Sequence, residues 1–257
     1  MNGQLDIFSI DKPQKMNVLV ACEESQRVCM AFRERGHNAF SCDIQECSGG
    51  HPEWHIQGDV LSILNPTNVP LKTDGWHTKG IQFSTTDGKE HFLIKWDLII
   101  AHPPCTDLCV SGARHFERKR ADGSQAESIE FFAKFLDVDC ERVCIENPVG
   151  IISGTYLLTY FPELAKKYNL PRQYSQIIQP YYFGDTEKKT TCLWLKGLPE
   201  LKPTNIVEPN IKEYICKDGK VVRFSEAMVK TEKGIPRAKT RSKTFEGIAK
   251  AMAEQWG

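Results

Sequence analysis

The chain carries no net charge, no long apolar run and no paired metal-ligand motif. Its 33 Lys and Arg balance 33 Asp and Glu, so no global field draws it toward nucleic acid or an anionic surface. No stretch approaches the roughly 20 consecutive apolar residues that a membrane helix needs. Met1 to Lys15 is polar and mixed in charge, without the apolar centre of a secretory signal. Residues 1–15 are therefore expected to be a flexible lead-in, and the expected compartment is the cytosol. No internal repeat appears, which argues against a solenoid. The ten cysteines do not imply disulfides, because Cys22, Cys42, Cys144 and Cys192 fall in apolar segments and read as small reduced hydrophobes. Cys42, Cys47, His51 and His55 lack the CxxC and HxxxH spacing of zinc modules, so no metal is expected.

What is present centres on Trp96 to Thr106 (WDLIIAHPPCT). Its β-branched apolar run suits a strand buried on both faces of a parallel sheet. Pro103 and Pro104 cannot donate to a ladder and force the chain out of the sheet. Cys105 is thus expected on a stiff turn beyond a strand's carboxyl end, where open α/β sheets bind ligands. About 40 residues later, Arg142 to Pro148 (RVCIENP) reads as a second buried strand ending in the carboxylate Glu146.

The remainder supports an α/β chain with a mostly parallel sheet and helices on both faces. Asn17–Cys22 reads as a strand, Ser25–Arg35 as a helix closed by Gly36, and Asn38–Cys42 as a second strand ending in Asp43. This β-α-β order with an acid after strand two is that of the nucleotide-binding half of a Rossmann-like fold, where the acid bonds a ribose. Asp59 ends a further short strand. Residues 65–95 read as an insertion, and Ser124-Gln125-Ala126-Glu127 as a capping box opening a helix that buries Ile129, Phe132, Ala133 and Leu136. Pro162–Tyr168 reads as a helix, and Ser175–Phe183 and Thr191–Leu195 as strands. A hairpin is expected around Asp218-Gly219, and Thr244 is expected to cap a last helix that buries Ile248, Ala251, Met252 and Trp256. Residues 16–196 would form the main domain, 197–240 a small Pro/Lys-rich region, and 241–257 a helix returning to the main domain. Between Lys217 and Lys243, nine Lys and Arg stand against three Asp and Glu, a local charge suited either to a phosphate backbone or to solvent.

A thiol beside a carboxylic acid suits attack on an electron-poor ring such as cytosine. The thiolate adds at C6 while the acid donates at N3, and C5 becomes nucleophilic. Pro103-Pro104-Cys105 and Glu146-Asn147-Pro148 resemble the Pro-Cys and Glu-Asn motifs of the cytosine-C5 DNA methyltransferases. Gly58-Asp59-Val60 is similar to that family's Gly-Asp segment, and residues 241–249 (RSKTFEGIA) to its carboxyl-terminal motif. The likeness spans residues 17–257 and is nearest to short phage and prophage variants, which puts the expected home in a bacterial or phage-infected cell.

The resemblance implies a Rossmann-like S-adenosylmethionine-dependent methyltransferase fold and cytosine-C5 transfer to a flipped base in DNA, as in restriction-modification. It also implies Cys105 as nucleophile on the turn made by Pro104, Glu146 as N3 partner and Asn147 as positioning residue. S-adenosylmethionine would lie against Ala21, Glu23, Ser25, Asp43, Ile44, Asp59, Val60, His102 and Pro103. DNA phosphates would meet Arg114, Arg118, Lys119, Arg120, Lys188, Lys189, Arg237, Lys239 and Arg241. The protein is expected as a monomer or weak dimer. Two departures stand out: Ala21-Cys22-Glu23-Glu24-Ser25-Gln26 replaces a glycine-rich first motif, and Glu187-Lys188-Lys189 replaces Gln-x-Arg-x-Arg. Three alternatives remain open: an amino-methyltransferase, a pyrimidine-modifying enzyme with another one-carbon donor, and a degenerate member that binds DNA or nucleotide without turnover.

Overall fold

The apolar runs of the sequence become the strands of one central sheet. In the computed structural model, which describes residues 14–70, 77–216, 218–225 and 243–257, β1 (Asn17–Ala21) pairs in parallel with β2 (Asn38–Asp43), and β2 with β3 (His55–Gln57). An antiparallel excursion follows, made of β4 (Thr67–Pro70), β5 (His77–Ser84) and β6 (Glu90–Leu93). The chain then returns to the sheet as β7 (Leu98–Ala101), parallel to β1, and as β8 (Val143–Pro148), parallel to β7. β9 (Gln176–Ile178) and β10 (Thr191–Lys196) complete seven strands in the order β3-β2-β1-β7-β8-β10-β9, with β10 antiparallel to both neighbours. The architecture is α/β with a mostly parallel sheet.

Alternation along the strands supplies two cores. Val18, Val20, Leu98 and Ile100 pack against α1 (Arg27–Glu34) and the last described helix, α6 (Glu246–Trp256). Leu19, Ala21, Ile99 and Ala101 face the opposite layer, which contains α3 (Ser124–Leu136), preceded by the short α2 (Phe116–Ala121). These eight side chains are fully buried, which is why both strands read as continuous apolar runs rather than alternating ones. Burying each large side chain contributes roughly 1.5–3 kcal/mol.

Several local expectations change in three dimensions. The Ser124 box does not form. Gly123 occupies the cap position, while Asp122 accepts from the Ser124 amide at 3.1 Å and from its hydroxyl at 2.7 Å. Within α3 the last turn buries Phe135 together with Ala133, and Leu136 is only partly covered. A helix not foreseen, α4 (Thr155–Tyr160), precedes α5 (Pro162–Lys167). β9 stops at Ile178, because Pro180 opens a 3₁₀ turn. Phe245, not Thr244, sits at the cap of α6, and the distant Asp185 carboxylate accepts the Gly247 amide at 3.0 Å.

The 65–95 insertion seals one core edge. Phe83 and Trp96 stack at 5.7 Å, Phe40 meets Phe83 at 5.0 Å, and the Trp96 indole donates to the Ile63 carbonyl at 2.7 Å. The expected hairpin forms as β11 (Ile211–Ile215) and β12 (Val221–Ser225), with Gly219 at φ +80 in its turn. No helix among the described residues is long and apolar enough to cross a membrane.

Candidate functional site

The chain leaves β1 toward β2 on one side and returns as β7 on the other, so a topological switch point lies between the carboxyl ends of β1 and β7. Open α/β sheets place ligands in such a crevice. Ala21 ends β1, and its carbonyl accepts the His102 amide at 2.9 Å. His102 precedes a proline and is therefore held near extended backbone. The Pro-Pro step then breaks the ladder, with Pro104 exposed and Cys105 half-buried. The Cys105 carbonyl accepts the Leu108 and Cys109 amides at 3.1 and 2.9 Å, making a single helical turn.

β8 delivers the second group. Ala101 stands opposite Ile145 across the parallel ladder, so His102 and Glu146 leave the sheet side by side. His102 Nδ1 lies 3.4 Å from Glu146 Oε2, the long end of hydrogen bonding. The next residue, Asn147, is buried and donates through Nδ2 to the Pro103 carbonyl at 2.8 Å, tying the end of β8 to the turn that carries Cys105. Asn147 Oδ1 and His102 Nε2 are buried without a hydrogen-bond partner.

Charges at this edge act on one another. Burial pushes the Cys105 thiol above its ordinary value, the neighbouring Cys109 and Glu146 add to that, and Lys189 opposes it. Burial also works against the charge on Glu146. The hydrogen bond with His102, the charges of Lys189 and His102 and the hydrogen bond from Thr191 outweigh it, so this carboxyl falls below the usual range. The surroundings therefore favour a protonated thiol and an ionised carboxylate.

The residues expected near a cofactor divide. Asp43 is half-buried at the end of β2, with Oδ1 accepting the Gln45 amide at 2.9 Å; its other oxygen takes no hydrogen bond among the described residues. Ile44 beside it is 75 % exposed. Asp59 is exposed and spends Oδ1 on the Leu61 amide at 2.9 Å. Pro103 is buried behind the turn. The other five expected residues have different surroundings. Glu23 is buried, and its two oxygens accept the Val28 and Cys29 amides at 2.7 and 3.2 Å, so it caps α1 rather than facing a ligand. The Ala21 and Val60 side chains are sealed in the core, and Ser25 is buried in the turn. His102 sits against Glu146.

The turn after β1 has the shape of a glycine turn without glycine. Cys22 and Gln26 both adopt the left-handed region, at φ +59 and +58, which costs about 1 kcal/mol or more each for a side-chain-bearing residue. Gln26 is fully buried and clasps the next loop, bonding the His51 carbonyl at 2.8 Å and the His51 amide at 3.0 Å. That clasp holds the strained backbone in place.

The basic residues also divide. Arg114, Arg118 and Lys188 are exposed, with Arg118 3.5 Å from Asp122. Lys119 is corrected: it is buried, donates to the Thr106 carbonyl at 2.6 Å and pairs with Asp107 at 3.0 Å. Its ammonium fixes the Cys105 loop and is not presented to a phosphate. Arg120 is turned inward onto Tyr156 and Tyr160, its guanidinium 4.2 Å from the Tyr160 ring centre. Lys189 is half-buried, and its charge reaches Cys105 and Glu146. Arg237, Lys239 and Arg241 lie outside the described residues.

Thr191 at this site had no signal in the sequence, because its approach to Glu146 exists only once β10 is laid antiparallel on β8. A cavity of about 390 Å³ lined by Met16, Asp97, Arg142 and Lys196 opens at the opposite edge of the sheet, and one of about 420 Å³ lies by His37 and Trp54. Neither touches Cys105 or Glu146, so it is the chemistry of the side chains, not the size of a cavity, that singles out the carboxyl edge. No protein-family model and no curated protein matches the chain.

Proposed function

We propose that this chain is an S-adenosylmethionine-dependent methyltransferase acting on cytosine C5 in DNA, built on a Rossmann-like sheet. The observation that carries the reading is that Cys105 and Glu146 follow adjacent parallel strand ends, with the Glu146 charge reaching the Cys105 thiol and Asn147 bonded to the turn between them. The sheet supports it. Counted within the sheet, the strands run 3-2-1-4-5-7-6, and the run 3-2-1-4-5 is the Rossmann order.

The residues at the end of β2 fit the adenosine half of the cofactor: the unbonded oxygen of Asp43 suits a ribose diol, and exposed Ile44 suits the face of a base. When bound, S-adenosylmethionine supplies an electrophilic methyl group. Cys105 forms the sulfur–C6 bond after its thiol proton passes to solvent, a step the Lys189 charge favours. Glu146 gives a proton to N3 as negative charge builds on the ring, leaving C5 electron-rich. Once C5 has taken the methyl group and its own proton has departed to solvent, the sulfur–C6 bond breaks, the thiolate leaves and N3 returns its proton to Glu146. Asn147 keeps the Cys105 turn in register throughout. A base stacked in duplex DNA has to be flipped to reach this edge.

A second reading, a member of the same fold that binds without turnover, is favoured by one observation: buried Glu23 and Gln26 occupy the turn where glycines would leave room. Calorimetry with S-adenosylhomocysteine separates the two, since the proposed enzyme binds it. Tritiated methyl transfer to cytosine-containing DNA, followed by nucleoside analysis, is expected to yield 5-methylcytosine. Cys105→Ser should abolish it, and retained activity refutes the nucleophile. Glu146→Gln should slow turnover by about 10²-fold or more, and a near-normal rate removes Glu146 from the mechanism.

A further inference from the structure

His102 is a partly buried histidine within reach of the carboxylate that has to carry a proton. Its side chain is 9 % exposed and that of Glu146 17 %, so water screens the pair little. The backbone holds the ring in place: the His102 amide is bonded to Ala21, and the following Pro103 is gripped through its carbonyl by Asn147. Its second nitrogen, Nε2, is buried and bonds to nothing among the described residues. Glu23 lies within electrostatic reach on the β1 side.

Glu146 alone meets a contradiction. The mechanism needs a proton at this carboxyl, yet the surroundings favour its ionised form. A neighbouring imidazole resolves it by holding the proton that the carboxylate gives up.

We propose that His102 is a positioning residue for Glu146, orienting the carboxyl and keeping one proton on the pair for delivery to cytosine N3. The assignment rests on the reading of Cys105 and Glu146 as a cytosine-modifying pair. One proton is shared between His102 Nδ1 and Glu146 Oε2. As the sulfur–C6 bond forms, it passes from Oε2 to N3, leaving a carboxylate and a neutral imidazole. As that bond breaks, N3 returns it. The charged and titratable groups around the pair are Glu23, with Glu24 beside it, on the turn after β1, Cys105 and Cys109 on the loop of His102 itself, Cys144 on β8, and Lys189 ahead of β10 with Cys192 on it. A proton held between two groups is retained to higher pH than one on a lone carboxyl.

The test is kcat against pH from 5.5 to 8.5 for the full chain and for His102→Asn, which keeps an amide but cannot ionise. The alkaline limb of the variant is expected at least about one pH unit lower. Its kcat at pH 8 should fall about tenfold or more, with recovery to within about threefold at pH 5.5 and KM for S-adenosylmethionine unchanged. A loss equal at every pH overturns the proposal and leaves the methyltransferase reading standing. A wild-type chain that transfers no methyl group removes that reading and this assignment with it. Should the variant not fold, ¹⁵N NMR titration of His102 decides the matter in the unliganded protein. Its midpoint drops in Glu146→Gln if the two groups share a proton, and an unchanged midpoint overturns the pairing.

Discussion

Replacing Lys119 by Met separates a buried anchor from a phosphate contact. Met keeps the length of the stem and removes the ammonium, whose side chain is 7 % exposed. Two interactions go: the 2.6 Å bond to the Thr106 carbonyl and the 3.0 Å pair with Asp107. Removing one partner of a fully buried pair costs about 3–5 kcal/mol. The cost here is smaller, because Asp107 is 27 % exposed and still accepts from the Ser128 hydroxyl at 3.2 Å, and Thr106 is reached by solvent. About 2 kcal/mol is the expected loss, which for a chain of this size lowers Tm by about 4–8 °C. Because Lys119 steadies the residue next to Cys105, kcat should also drop by about tenfold or more, since displacements near 1 Å cost up to about 10²-fold. Calorimetry reads Tm, and fluorescence anisotropy reads DNA affinity against salt. The slope of log affinity on log salt should match the wild type. An unchanged Tm together with a slope shallower by about one phosphate would put the ammonium on the DNA face and refute the burial argument.

Two further outcomes follow from burial. Trp256 is completely buried and donates to the Pro199 carbonyl at 3.0 Å, so Trp256→Ala should cost about 3–5 kcal/mol in urea unfolding, and a loss under 1 kcal/mol would detach α6 from the core. Burial raises the Cys192 thiol from its ordinary 9.0 to about 11 and Cys42 to about 12. Above pH 9 the unfolded chain therefore loses protons that the native chain keeps. Stability is intact below pH 9 and should fall by about 1.4 kcal/mol per pH unit for each such thiol as pH rises toward 11, and a flat stability profile between pH 9 and 10.5 would contradict their burial.

The parts of the fold that were legible in the sequence are those written in local periodicity. β1, β2, β7 and β8 were visible because a strand buried on both faces needs an uninterrupted apolar run, and Pro103-Pro104 announced where β7 must stop. The hairpin was legible from Asp218-Gly219, since few other residues make such a turn. The caps were misread, because Ser124 and Thr244 have the right chemistry in the wrong geometry, and the groups that serve these helices are Asp122 and the distant Asp185. Lys119 and Arg118 are adjacent in a basic run, yet one is buried and one exposed, a difference of about 100° of helix rotation.

The sequence alone determined that a thiol and a carboxyl stand at the ends of two buried strands, because apolar runs and prolines act over a few residues. Only the tertiary structure decided that these strands are neighbours, that His102 and Thr191 converge on Glu146, and that Glu23 is spent on a helix end. Those are long-range events: strand order and register set which side chains meet, and burial sets how strongly their charges act on one another.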